Sequence, residues 1–131
     1  MTYTEPADLA RVAAQAADAK LATDLIGLVV GPVLAITEVF VIATASNPRQ
    51  VRAVTEEVEK RVKQEFGRAP KAVEGLDDLQ WVLIDYGDVI VHVFNDESRE
   101  YYSLDRLWSD VEVLDFSDLI VAEEEPATNV S

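Results

Sequence analysis

The 131-residue chain contains no cysteine and only one histidine, His92. Disulfide bonds, thiolate nucleophiles, thiolate metal sites and metal sites built from several histidines are therefore excluded. The absence of cysteine fits a reducing compartment, so we expect a cytoplasmic protein. Apolar runs such as 25–30 and 39–43 are far shorter than the roughly 20 residues that cross a bilayer. Residues 2–5 do not resemble the start of a signal peptide, and we expect no association with a membrane.

Basic residues are also scarce, with 11 lysines and arginines against 25 aspartates and glutamates and a net charge of −14. Most of this surface repels phosphate groups, so we expect little direct binding to nucleic acid. A basic protein is the natural partner, because opposite potentials raise encounter rates and select partners. The charge alone also fits an acidic protein whose charges serve only its solubility.

Recognisable catalytic motifs are missing as well. The chain has no nucleophilic-serine signature, no Walker loop and no glycine pattern for dinucleotide binding. Asp85 and Asp88 could hold a divalent cation, but a Gly-Asp turn is common in hairpins and favours a structural role for Asp88. His92 lies among apolar residues, which is typical of a packed, hydrogen-bonded core histidine rather than a catalyst. We therefore expect no catalytic residue, no cofactor and no metal.

Hydrophobic residues make up 49% of the chain, which is enough to build the core of one compact domain. Their patterns predict three helices, at 6–20, 48–66 and 96–108, and five strands, at 24–30, 38–44, 81–85, 89–94 and 111–115. This order implies a single α/β domain in which helices pack on a mixed sheet of about five strands. We expect the domain to occupy residues 1–115 and the acidic residues 116–131 to form a frayed tail.

The second predicted helix carries the clearest local signals. Asn47 is a good capping residue, Pro48 suits the first helical position, and Gly67 suits the end. Apolar side chains recur at three- and four-residue steps and form one stripe, made of Val51, Val54, Val58, Val62 and Phe66. Ion pairs four residues apart should stabilise the exposed side, namely Glu56–Lys60, Glu57–Arg61 and Glu59–Lys63.

Large aromatic residues stand close to carboxylates in the second half of the chain. Trp81 and Asp85 share one face of a predicted strand and should lie near each other. The same combination recurs further along, in Tyr101, Tyr102 and Trp108 beside Glu100 and Asp105. Aromatic side chains bordered by carboxylates suit a protein interface whose partner offers arginine or lysine. A core role is the alternative, and we adopt it for Trp108 together with Leu104 and Leu107.

Several segments resemble those of a known family. Residues 38–44, with the sequence Glu-Val-Phe-Val-Ile-Ala-Thr, and the Arg-Gln-Val at 49–51 are similar to the family's Asp-Tyr-Phe-Val-Ile-Ala-Thr-Gly…Arg-Gln-Val segment. The Trp…Asp-Tyr-Gly-Asp…His-Val-Phe series at 81–94 and the Tyr-Tyr…Leu-Trp series at 98–108 match its remaining signature. On these motifs the chain, over about residues 5–115, resembles the ribosomal silencing factor family RsfS, also called Iojap.

The resemblance implies a translation repressor that is not an enzyme. Members of the family bind ribosomal protein L-fourteen on the large ribosomal subunit and block docking of the small subunit, which slows protein synthesis when nutrients are scarce. The resemblance also implies an α/β fold with a nucleotidyltransferase-like topology and no catalytic motif. Carried over by position, the partner-binding residues are Trp81, Asp85 and Tyr102. We add Glu100 and Asp105 from the charge argument.

Two other hypotheses stay open at this point. The fold analogy and the Asp85–Asp88 pair allow a nucleotidyltransferase-like, metal-dependent enzyme. The apolar surface allows a homodimer of the free protein that would hide the interface.

Overall fold

The computed structural model describes residues 5–116, so all of the predicted tail at 116–131 except Phe116 lies outside them. These residues form one six-stranded sheet with helices packed on it. In chain order the elements are α1 (Pro6–Ala19), β1 (Thr23–Val29), β2 (Val39–Ala45), α2 (Pro48–Phe66), β3 (Ala72–Glu74), β4 (Trp81–Asp85), β5 (Val89–Asn95), α3 (Asp96–Tyr102), α4 (Leu104–Leu107) and β6 (Glu112–Leu114). No helix between residues 5 and 116 is long and apolar enough to span a membrane.

The sheet is mixed, as predicted, and its strands lie in the order β3-β4-β5-β2-β1-β6. The central strands β2 and β5 run parallel, with Val39 beside Val89 and Ala45 beside Asn95. All other neighbouring strands in this sheet are antiparallel. A parallel pair requires a crossover connection, and α2 forms the main part of it.

Helices α1 and α2 pack on one face of the sheet, which we call the helix-covered face. Its side chains are almost all aliphatic, and they form one buried cluster that includes Val41, Ala43, Val82, Ile84 and Val91. The helix α1 contributes mainly small residues to it, namely Ala10, Ala13, Ala14, Ala16 and Ala17. Because alanine side chains are short, the axis of α1 can lie close to the strands.

The helix α2 confirms the prediction from its local signals. Asn47 accepts a hydrogen bond from the backbone N–H of Gln50 at 2.8 Å and caps the first turn. Gly67 ends the helix with a φ of +67°, a left-handed conformation that glycine adopts without steric cost. On its exposed side, Arg61 and Glu57 form one of the predicted ion pairs at 2.8 Å.

Three predictions about elements need correction. The strand β3 makes six strands rather than about five, and it was missed because only one of its three residues is partly buried, which leaves no alternation to detect. The predicted helix at 96–108 is divided at Ser103, whose φ of +47° ends α3 and leaves α4 as a single turn. Leu107 is 74% exposed and is not a core residue, whereas Leu104 and Trp108 are partly buried and pack against a buried cluster, in line with the prediction.

The packed domain also continues one residue beyond position 115. Phe116, which the sequence placed in the tail, is 3% exposed and belongs to the cluster of the helix-covered face. Gly27 on β1 makes room for it, because a Cβ atom there would lie 2.8 Å from the Phe116 ring.

We call the opposite side of the sheet the open face. Its buried centre consists of Leu28, Val30, Phe40, Ile42 and Phe94. Trp108, just after α4, covers part of this centre, and its ring meets the Phe40 ring edge-on with 5.8 Å between centroids. Neither α1 nor α2 reaches this face, so the side chains of β4 remain partly accessible there.

Candidate partner-binding surface

Alternation along β4 places three half-exposed side chains on the open face, those of Trp81, Leu83 and Asp85. The antiparallel register with β5 sets Trp81 opposite Phe94 and Leu83 opposite His92. Trp81 and His92 are therefore diagonal neighbours, a separation that aromatic side chains can bridge. The hairpin thus assembles an aromatic cluster at one end of the open face.

The indole of Trp81 lies at the centre of this aromatic cluster. Its Nε1–H donates a hydrogen bond to Nδ1 of His92 at 3.0 Å. The indole also contacts the rings of Phe94 and Tyr102, with centroid distances of 4.9 and 4.6 Å. The predicted contact residues Trp81 and Tyr102 are therefore in direct contact, and both remain partly accessible to solvent.

His92 lies beneath the indole and is 4% exposed. The prediction of a packed, hydrogen-bonded histidine is confirmed. Burial lowers the pKa of His92 to about 4, from an ordinary value of 6.5, so the ring is neutral at physiological pH. Because an indole N–H can only donate, Nδ1 of His92 must be the unprotonated nitrogen and Nε2 must carry the proton. Within residues 5–116, this buried Nε2 has no hydrogen-bond partner.

Beside the aromatic cluster, α3 borders an open groove with a volume of about 630 Å³, which we call the α3 groove. It is lined by Gln80, Asn95, Glu97, Ser98, Glu100, Tyr101 and Tyr102. Tyr102 is shared by the cluster and the groove, and its ring meets that of Tyr101 edge-on at 5.0 Å. The structure therefore places Glu100 next to the tyrosines, with an exposed side chain.

Asp85 lies away from this cluster. It shares a face with Trp81 as predicted, but the two residues stand at opposite ends of β4. Four residues of strand span about 13 Å, so the expectation that they lie near each other is wrong. One oxygen of Asp85 accepts a hydrogen bond from the backbone N–H of Gly87 at 2.7 Å, which stabilises the turn.

The neighbouring carboxylate, Asp88, is held by an arginine that the sequence did not single out. Arg68, just after α2, donates to both oxygens of Asp88 at 2.8 and 3.2 Å and to the carbonyl oxygen of Tyr86 at 2.7 Å. The bond to Asp88 raises the pKa of Arg68. Both carboxylates of the supposed cation pair therefore stabilise the hairpin turn, which supports the structural interpretation of Asp88. In the described part of the chain, no group of three acidic or histidine residues could hold a metal ion.

Asp105 on α4 lies beside Arg99, and its side chain is 41% exposed. The Nε atom of Arg99 lies 3.6 Å from a carboxylate oxygen of Asp105, and its Nη1 donates to the hydroxyl of Thr44 at 2.7 Å. Arg99 thus connects α3 and α4 to the end of β2. Arg99 therefore already balances part of the negative charge of Asp105, which is one of the predicted contact residues.

Sequence reasoning missed two features of this surface. The first is the bond between Trp81 and His92, which follows once the hairpin register is counted outward from the Gly87 turn. The second is Arg99, whose partner Thr44 is 55 residues away in the chain and leaves no local signal.

The sequence also matches the model of a known protein family. Residues 3–131 match the model of a family described as "Ribosomal silencing factor during starvation", RsfS. The chain belongs to the RsfS family. The resemblance inferred from the motifs is therefore confirmed.

Named RsfS proteins are close relatives. The RsfS of Bacillus subtilis is 37% identical over 105 residues, which cover 80% of this chain and 88% of that protein. The RsfS of Halalkalibacterium halodurans is also 37% identical, over 86% of this chain and 96% of that protein. A mouse protein named "Mitochondrial assembly of ribosomal large subunit protein 1" is 31% identical over 67% of this chain and 40% of its own length.

Solved structures share the fold. A crystal structure from Chromobacterium violaceum superposes with a TM-score of 0.76 at 29% identity, covering 81% of this chain and 88% of that one. A second, from Bacillus halodurans, gives 0.70 at 36% identity and covers 83% and 98%. The single α/β domain with a mixed sheet is therefore confirmed.

Proposed function

We propose that this RsfS-family protein represses translation by binding the large ribosomal subunit through ribosomal protein L-fourteen and sterically blocking the small subunit. The family description, with its mention of starvation, supports a role under nutrient limitation. The name of the mouse relative supports the large subunit as the partner. This function needs only binding free energy, so the protein works without a catalytic group, a cofactor or a metal, in the cytoplasm where ribosomes are found.

The observation that carries the proposal is the accessible aromatic cluster around Trp81, which lies beside carboxylates on a face that α1 and α2 leave open. Interface hot spots are enriched in tryptophan and tyrosine that desolvate in a central patch, with charged groups at the rim. Trp81 and Tyr102 form such a patch, and Glu100 in the α3 groove forms part of its rim. Asp85 supplies a second acidic position farther along β4.

The charge of the protein indicates the chemistry of the partner. A net charge of −14 attracts a basic protein surface and repels exposed ribosomal RNA. Glu100 and Asp85 are therefore suited to arginine and lysine side chains on the bound ribosomal protein. Inhibition at nanomolar concentration requires about 12 kcal/mol of binding free energy, which an interface of about 1,600 Å² can supply.

Co-sedimentation with purified large subunits tests the site. Replacing Trp81 by alanine removes the central aromatic surface, and we expect binding to weaken by roughly 30-fold or more, the scale of an interface hot spot. Tyr102→Ala should weaken binding by roughly tenfold, because it removes the ring that packs on the indole. Circular dichroism and a denaturation curve for each variant establish that the domain still folds.

Charge reversal provides a matched control. Glu100 on α3 and Glu56 on α2 are both exposed helical glutamates, but Glu56 lies on the opposite side of the sheet. Glu100→Lys and Glu56→Lys change the net charge by the same amount, so any difference in binding reports position rather than total charge. We expect Glu100→Lys to weaken binding several-fold more than Glu56→Lys, and Asp85→Lys to resemble Glu100→Lys. Equal binding by all three variants would contradict this surface.

Blocking of subunit joining is tested separately from binding. Large and small subunits are mixed with a saturating excess of the protein, and joined particles are measured on a sucrose gradient. We expect joined particles to disappear with the wild-type protein and to persist with Trp81→Ala. If the protein binds large subunits but joined particles persist, the proposed partner stands and the steric mechanism is overturned.

A further inference from the structure

Packing alone does not determine which way the Trp81 ring faces. The indole lies against the rings of Phe94 and Tyr102, with interplanar angles of 30° and 46°. Rotation of an aromatic ring about its second side-chain torsion has two broad minima, so apolar ring contacts alone leave two orientations close in energy. The hydrogen bond from Nε1 of Trp81 to Nδ1 of His92 removes this ambiguity, because only one orientation places the N–H at the acceptor.

His92 is an unfavourable choice for the stability of the core. Its Nε2 is buried and has no hydrogen-bond partner within residues 5–116. A buried donor without a partner costs desolvation free energy, whereas an apolar side chain of similar size would avoid that cost. The surroundings of His92 are the aromatic rings of Phe40, Trp81 and Phe94, so an apolar residue would pack there. The histidine therefore calls for an explanation other than folding.

We propose that His92 is a positioning residue for partner binding, whose neutral Nδ1 holds the Trp81 indole in a single orientation on the open face. The proposal rests on the function proposed above for the choice of partner, but the hydrogen bond can be tested without any partner. Fixing a contact side chain before binding reduces the conformational entropy lost on association. His92 does not touch the partner itself, because it is almost completely buried beneath the indole.

A matched pair of variants isolates the acceptor from the ring volume. In His92→Asn, the side-chain carbonyl oxygen occupies the branch position of Nδ1 and can accept the indole hydrogen bond. In His92→Leu, the side chain has nearly the same shape as asparagine but no acceptor. Both variants lose the same part of the imidazole ring, so that loss of packing is shared, and denaturation curves measure the separate cost of burying the asparagine NH₂ group. We expect His92→Leu to weaken binding to purified large subunits by roughly tenfold and His92→Asn by less than about threefold.

The indole N–H resonance of Trp81 reports the hydrogen bond directly. The chain has two tryptophans, so a nitrogen–proton NMR spectrum of the full chain contains two indole signals, and Trp81→Phe identifies which belongs to Trp81. We expect the Trp81 signal to move upfield and to exchange faster with solvent in His92→Leu, and to stay near its wild-type position in His92→Asn. The Trp108 signal serves as the internal control.

A double-mutant cycle shows whether His92 acts through Trp81. Phenylalanine at position 81 keeps an aromatic ring but lacks the N–H, so His92 has nothing to accept. In the Trp81→Phe background we expect His92→Leu to change the affinity for large subunits by less than about twofold. An effect of the same size in both backgrounds would show that His92 contributes through packing alone.

The outcomes separate this proposal from the proposed function. If the wild-type protein does not bind large subunits, the proposed function fails, and the indole spectra still decide whether His92 holds the ring. If the wild type binds but the asparagine and leucine variants weaken binding equally, the proposed function stands and the positioning role is overturned. Indole signals that do not differ between the two variants would overturn it as well.

Discussion

The two faces of the sheet are built from the same strands but differ in composition. The helix-covered face contains mainly valine and alanine, and α1 and α2 pack on it. The open face contains Trp81, His92 and Phe94 and is covered only in part, by the region around α4. Small aliphatic side chains let helices pack closely on strands, whereas large aromatic ones provide contact area that can be desolvated by a partner. We infer that the first face mainly stabilises the domain and the second mainly binds.

Replacing two consecutive residues of β4 gives the largest expected contrast in stability between the faces. Ile84 points into the helix-covered face and is fully buried, while Leu83 is half-exposed on the open face. We expect Ile84→Ala to lower the free energy of unfolding by about 3.5 kcal/mol, and Leu83→Ala by about 1 kcal/mol, since only the first leaves a closed cavity. Urea denaturation measures both.

In binding, the order of the two effects should be reversed, so that Leu83→Ala lowers the affinity more than Ile84→Ala does. At temperatures where both are folded, Ile84→Ala should keep wild-type affinity for large subunits, and Leu83→Ala should weaken it by roughly threefold, as a peripheral contact does. Similar losses of stability for the two variants would remove the distinction between the faces.

The pH dependence of stability tests the one ionisable group buried in the aromatic cluster. Burial holds the pKa of His92 near 4 in the folded protein, against 6.5 in an unperturbed histidine. Between these pH values the unfolded chain binds a proton on this ring and the folded chain does not. The free energy of unfolding therefore falls as the pH is lowered from 6.5 to 4, by up to about 3 kcal/mol.

His92→Phe is the control for this measurement, because its ring cannot titrate. Urea denaturation at several pH values should give a flatter profile for the variant than for the wild type between pH 6.5 and 4. Parallel profiles would mean that His92 is protonated equally in both states, and that it is not buried as described.

The ion pair between Arg68 and Asp88, at the hairpin turn, should contribute less to the free energy of unfolding. Arg68 and Asp88 are about one-quarter exposed, so solvent screens their attraction and reduces its contribution. We expect Asp88→Ala to lower the free energy of unfolding by about 1 kcal/mol, without a change in affinity for large subunits. Thermal unfolding and co-sedimentation measure the two quantities. A loss of affinity in a folded Asp88→Ala protein would extend the binding surface to this end of the turn.

Asp85→Asn should produce the smallest change in stability. Asparagine keeps the side-chain oxygen that accepts the Gly87 N–H, so the turn is preserved and the free energy of unfolding should change by less than about 0.5 kcal/mol. Removal of the charge should still weaken binding to large subunits by about threefold, and more at low than at high salt. Salt-independent binding that equals the wild type would remove Asp85 from the proposed surface.

Elements defined by local signals were predicted well. The bounds of α2 at Pro48 and Phe66 were correct, because a capping asparagine, a proline and a glycine act within one turn of the helix ends. The four longer strands, β1, β2, β4 and β5, were also found, because their apolar runs are continuous, and β6 was found as a short strand. Sequence patterns did not detect β3, which is a strand only because β4 provides hydrogen-bond partners for its three residues. They also did not detect the break at Ser103, which requires an unusual backbone conformation.

The candidate site was predicted in its residue types and only partly in its arrangement. Trp81 and Tyr102 meet as expected for one patch, but Asp85 lies at the far end of β4 and Asp105 faces Arg99. Leu107 was assigned to the core together with Leu104 and Trp108, yet the helix containing it is a single turn that exposes it. Such errors arise where a short element takes its orientation from long-range contacts.

The amino-acid sequence by itself determined the α/β class, the ends of α2 and the motifs of the RsfS family, because these depend on residues close together in the chain. It also determined the acidic charge on which the proposal of a basic partner rests. Only the tertiary structure decided which face of the sheet the helices cover, since β2 and β5 are apolar on both sides. Tertiary structure also brought the Trp81 indole onto His92, because that hydrogen bond depends on the register of two antiparallel strands and not on either strand alone.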